Sequence, residues 1–100
     1  MSNIDLKPRL QKKTKVQKPK LYKVVLLNDD YTPREIVVLI LKAEFRLDNA
    51  QAEVVMMTAH QKGACVVSVF PRDVAESKAT RAIDAATQLG YPLQFTVEPE

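Results

Sequence analysis

Residues 27–35 read LNDDYTPRE and set an amide and two carboxylates, Asn28, Asp29 and Asp30, side by side where an apolar run ends. Two chemistries are open to such a cluster. Asn and Asp bond their own backbone and tolerate turn dihedrals, so the triplet can be a chain reversal and nothing more. Its oxygens can equally accept hydrogen bonds from a ligand rich in donors. The single histidine, His60, closes the segment VVMMTAH. There it can be a surface residue favoured by a helix dipole, or a neutral acceptor. Helical spacing puts Met56 and His60 four apart with Ala59 beside them, an apolar patch with a polar tip. Met at that spacing is commonly core, yet it also lines sites that accept several apolar side chains. Val37 and Ile40 stand on adjacent turns of the preceding helical pattern.

If the NDD segment lies over the junction of those two helices, it frames an apolar hole rimmed by carboxylate, amide and imidazole acceptors. A free α-ammonium group suits that rim. It carries three donors and one charge, and the carbon bearing it carries a side chain that can fill the hole. A carboxylate gives the charge-assisted bond, an Asn carbonyl takes a second donor, and an imidazole nitrogen or a water takes the third. An internal peptide amide has one donor and no charge, so such a site reads chain starts. The sequence permits this assembly without forcing it.

Other chemistries lack their parts. One His and one Cys do not make a Cys/His zinc site. Glycines only at 63 and 90 leave no phosphate-binding loop. The carboxylates at 29 and 30 lack further ligands at the spacing Mg²⁺ or Ca²⁺ needs. No strand is studded with aromatics as an RNA-stacking sheet would be. Cys65 has no partner for an internal disulfide and reads as a small hydrophobe within a strand. The expectation is a binding protein rather than an enzyme, with neither metal nor cofactor.

The elements that must position these residues are legible in order. LYKVVLL (21–27) is a β-branched apolar run ended by turn chemistry and reads as a buried strand. TPRE (32–35) reads as a helix start, with Thr32 as N-cap, Pro33 first in the helix and Glu35 completing a capping box. That helix runs to about Phe45 and buries Ile36, Val37, Ile40, Leu41 and Phe45. Asp48 or Asn49 caps a second helix to about Gln61, stopped near Gly63. ACVVSVF (64–70) is a strand apolar on both faces. Pro71 begins a third helix to Leu89, with Gly90 at its stop and a stripe of Ala75, Ala79, Ala82, Ile83, Ala86 and Leu89. LQFTVE (93–98) alternates, with Leu93, Phe95 and Val97 inward. The order βααβαβ predicts an α/β (α+β) domain, a small three-stranded antiparallel sheet packed against three helices.

Charge divides the chain. Residues 1–20 hold seven basic side chains and one acidic, whereas residues 21–100 hold eight basic and eleven acidic. The basic segment has two prolines and no aromatic residue, the composition of a disordered extension, and residues 21–100 form the core domain. It lacks the apolar run of a signal peptide, and no later stretch approaches a membrane span. A cytoplasmic protein with no membrane partner is expected. A nucleic-acid- or ribosome-associated domain using the basic tail is the alternative.

The block LYKVVLLNDDYTP, the histidine after MMTA, VAESK (74–78) and the closing YPLQFTVE together resemble the ClpS family of protease adaptors, over about residues 21–98 in one gapless register. The resemblance implies recognition of N-degrons, proteins beginning with Leu, Phe, Tyr or Trp, and their delivery to the N-terminal domain of a ClpA-type AAA+ unfoldase of a Clp protease. By the same resemblance, Asn28, Asp30 and His60 meet the α-amine and Asp29 supports the turn. Thr32, Val37, Ile40, Met56, Ala59 and Leu93 fall on the side-chain pocket and its rim. Asp73 and Lys78 fall on the unfoldase face. Arg34 stands at the pocket gate where the family commonly has Met, and Ala59 replaces what is often a larger β-branched residue. Nucleic acid is not an expected partner on this reading.

Overall fold

A computed structural model describes residues 18–100. The chain forms β1 (Leu21–Leu27), α1 (Arg34–Phe45), α2 (Asn49–Lys62), β2 (Ala64–Pro71), α3 (Arg72–Gln88) and β3 (Phe95–Pro99). The sheet order is β2-β1-β3 with both pairings antiparallel, so the predicted class and the order βααβαβ are borne out. Most of the basic extension lies outside the described residues.

β1 is the central strand, and its β-branched run follows from that place. Val24, Val25 and Leu26 are all buried. Val24 and Leu26 join the core under the helices, whereas Val25 looks to the opposite face beside Val66 and Thr96. α1 buries Val37, Ile40, Leu41 and Phe45 at helical spacing, and each such side chain removed from water is worth about 1.5–3 kcal/mol. The Phe45 ring lies 5.5 Å from that of Phe95 and 6.5 Å from that of Phe70, so one side chain joins the helix to both edge strands. α3 presents Ala75, Ala79, Ala82 and Ala86, a flat face that lies against all three strands and α1.

The start of α1 departs from the expected capping box. Pro33 is the N-cap and makes no side-chain cap bond, and its carbonyl accepts from Ile36 and Val37. The Thr32 hydroxyl donates instead to the Asp29 carboxylate. Asp48 does form a complete box at α2. Its Oδ1 accepts from the Gln51 amide at 2.7 Å, while Gln51 Oε1 accepts from the Asp48 amide at 3.1 Å. Three burial expectations also change. Leu89 lies past the end of α3 and is 51% exposed, and Ile36 and Ile83 are only half-buried. β2 is an edge strand with no fully buried residue, because no layer covers the outer face that carries Val66 and Val69. Its Cys65 is correspondingly half-exposed, donating to the Val66 carbonyl at 3.4 Å.

Candidate functional site

The segment after β1 is held on both sides. The Leu27 amide donates to the Gln94 carbonyl at 3.1 Å, and the Asn28 amide donates to the Gly63 carbonyl at 2.9 Å. The first bond brings the approach to β3, with Leu93, under the segment. The second fastens it to the end of α2, three residues past His60. Gly63 ends that helix at φ +92°, a left-handed conformation that suits glycine, and its amide donates to the Ala59 carbonyl at 2.8 Å.

The three oxygen-bearing side chains divide their work. Asp29 is occupied by its own turn, with Oδ1 accepting from the Tyr31 amide at 2.8 Å and Oδ2 accepting from the Thr32 hydroxyl. The local turn reading is therefore right for Asp29. Asn28 and Asp30 are exposed and flank it. Thr32, only 7% exposed, is buried by this arrangement, and its hydroxyl is satisfied within it.

Beneath the segment lies a cavity of about 270 Å³. Its rim carries all four predicted polar residues, Asn28, Asp29, Asp30 and His60. Its wall includes Thr32, Val37, Met56, Ala59 and Leu93, with Arg34 at the first turn of α1. Ile40 lies in the core at 2% exposure, three residues along α1 from Val37, and is not among the residues that line the cavity. Leu26, Leu27 and Pro33 also line the cavity and were not foreseen. Leu26 and Leu27 sit at the strand end that feeds the segment, so adjacency to NDD was the available signal. The site joins open acceptors for a donor-rich cation to an apolar recess for the group beside it.

Among the described residues, no group of three His, Cys, Asp or Glu side chains could hold a metal ion, and no helix is long and apolar enough to cross a membrane. Asp73 lies exposed in the first turn of α3, away from the cavity. Lys78 is half-buried, with its amine donating to the Glu44 carbonyl at 3.1 Å and lying 5.5 Å from the Phe70 ring centre. Its charge thus complements the C-terminal end of α1.

Comparison with known proteins bears on the whole chain. The family described as ATP-dependent Clp protease adaptor protein ClpS matches residues 17–96. An ATP-dependent Clp protease adapter protein ClpS 1 of Rhodopseudomonas palustris is 65% identical, covering 100% of this chain and 99% of the relative. The ClpS 1 protein of Bradyrhizobium diazoefficiens is 64% identical over the same shares. The solved structure of Agrobacterium tumefaciens ClpS2 bound to L-phenylalaninamide superposes with a TM-score of 0.81 at 58% identity, covering 83% of this chain and 100% of that one. With the family matching residues 17–96 and a relative 65% identical over the whole chain, the chain belongs to the ClpS family and is an adaptor of ATP-dependent Clp protease rather than an enzyme.

Proposed function

We propose that the cavity binds the first residue of a polypeptide, taking the α-amine at Asn28, Asp30 and His60 and a bulky apolar side chain in the recess below. Leu, Phe, Tyr and Trp are the side chains that suit it. The observation that carries the reading is the opening of unshared acceptors and an apolar recess into one cavity. The ligand of the Agrobacterium relative fits the same logic, since L-phenylalaninamide has a free α-amine, an aromatic side chain and a blocked carboxyl. Arg34 is exposed and lines the cavity, so its methylene stem can serve as outer wall with the guanidinium in water, a softer gate than Met. The bound protein is then delivered to a ClpA-type unfoldase, with Asp73 offering a free carboxylate and Lys78 an apolar stem to the docking face.

A Phe-starting peptide and its Nα-acetylated twin test the reading by fluorescence binding. Acetylation removes the charge and two donors and leaves acceptors unpaired. The loss should reach about 3 kcal/mol, within the range for truncating one partner of a desolvated charged pair. Equal affinities would exclude α-amine recognition.

A further inference from the structure

A second depression, of about 620 Å³, lies between α1 and α2 and shares Arg34 and Met56 with the first cavity. Its α1 wall runs Arg34, Glu35, Val38, Leu39, Lys42 along one helical face. The α2 wall runs Asn49, Glu53, Met56, Met57, so the groove begins at Arg34 and Met56, against the first cavity. Its far end is closed by Lys42, whose amine lies 3.5 Å from Asn49 Oδ1. The floor is apolar and only partly covered: Leu39 is 54% exposed, and Val38 and Met57 are half-buried. Its charges come as both signs, Arg34 with Glu35 and Lys42 with Glu53.

Resting on the proposed reading of the first cavity, we propose that this groove receives the second and third residues of the bound chain and favours apolar side chains there. Length, continuity and lining each support it. The eight residue steps of helix from Arg34 to Lys42 span about 12 Å, room for about three residues of extended chain. A peptide whose first side chain fills the cavity must leave past its rim, and the groove adjoins the cavity through the Arg34 and Met56 that line both. Mixed rim charges give no strong preference for an acidic or basic occupant, whereas the Val38, Leu39 and Met57 floor rewards apolar contact, and Met57 adapts to its shape.

Calorimetry with L-phenylalaninamide, Phe-Leu-Leu amide and Phe-Ser-Ser amide on the full chain decides the matter. The Leu-containing peptide should bind roughly fivefold or more tightly than its Ser twin, as partial burial of one or two Leu side chains gives. In Leu39→Gln that ratio should fall towards one while affinity for L-phenylalaninamide stays unchanged. Met57→Gln, on the other helix, should act alike and guards against a local effect of one substitution. Equal affinity of the two peptides for the unaltered chain overturns the groove and leaves first-residue binding standing. A preference that survives both substitutions also overturns it. Absence of L-phenylalaninamide binding overturns both readings. Sedimentation covers the remaining occupant: a self-associated species dissolved by Leu39→Gln would assign the groove to a second copy and overturn peptide binding there.

Discussion

Replacing Asp29 and Asp30 one at a time separates scaffold from recognition. Asp29 accepts a backbone amide and a buried hydroxyl, so Asp29→Ala strands both donors. Stability should fall by about 1–2 kcal/mol, the range for a donor left unsatisfied, and peptide affinity should fall with it as the segment loosens. Asp30 is exposed and makes no comparable bond among the described residues. Asp30→Asn should leave thermal stability within the ordinary surface range of about 0.5 kcal/mol, yet weaken a free-amine peptide by at least roughly tenfold because the charge-assisted bond is lost. Matched losses of stability and affinity in Asp30→Asn would make it a second scaffold residue. Cys65 gives a separate residue-scale test. Burial pushes its thiol above the ordinary range, partly offset by the Thr58 hydroxyl and the Lys62 charge. An acid whose pKa is raised by folding binds its proton more tightly in the native state. Its contribution to stability is therefore full below the unfolded thiol's pKa and lost as pH rises through the raised value. Alkylation at pH 8 should run slower in the folded chain than in denaturant, and equal rates would refute the shielding.

The elements position the site through their ends. α2 carries Met56, Ala59 and His60 on its C-terminal half, and Gly63 is where it turns and binds Asn28. Gly63→Ala meets open space but must hold φ +92°, so it should cost about 1 kcal/mol or more of stability, and it should also weaken peptide binding by displacing Asn28. Asp48→Ala at the other end of α2 removes the Oδ1 acceptor of the Gln51 amide and leaves the backbone amide of residue 48 donating to Gln51 Oε1. It should cost about 1 kcal/mol while leaving affinity unchanged, because its turn touches no part of the cavity. Denaturant melts and peptide titrations on the two variants distinguish them, and equal affinity losses would deny the end-specific role. The same distinction between ends governs what the sequence displayed. Gly63, Asp48 and the Ala spacing of α3 act locally, so the helices, their stops and the β order were legible. Thr32 reads locally as the cap of α1, and its hydroxyl instead braces the turn at Asp29, a contact the TPRE spacing does not display. Ile40 and Val37 are one turn apart on an apolar face, and only the angle at which α1 meets α2 separates wall from core. β2 is apolar on both faces by sequence, and nothing local says that its outer face has no covering layer.

Across the whole molecule, β1 separates two working ends. The candidate site begins after Leu27, whereas the chain enters the strand at Leu21, beside Pro71 and with the Leu21 carbonyl accepting from the Glu100 amide at 3.1 Å. Six residue steps of strand place these ends about 20 Å apart. Asp73, two residues beyond Pro71, stands at the entry end. The basic segment therefore joins the domain on the side of the proposed unfoldase face, remote from the cavity. Deleting residues 1–17 should leave peptide affinity and thermal stability unchanged, since no core position is lost. We propose that the segment is a handle used in delivery, so degradation of a Phe-starting substrate by the reconstituted protease should nevertheless drop. Salt sharpens the point. Binding through the segment to phosphate would weaken steeply with ionic strength, whereas amine recognition in a partly desolvated cavity should weaken only modestly. Full degradation by the shortened chain would remove the handle from the mechanism, and a loss of peptide affinity would show that the two ends are not independent.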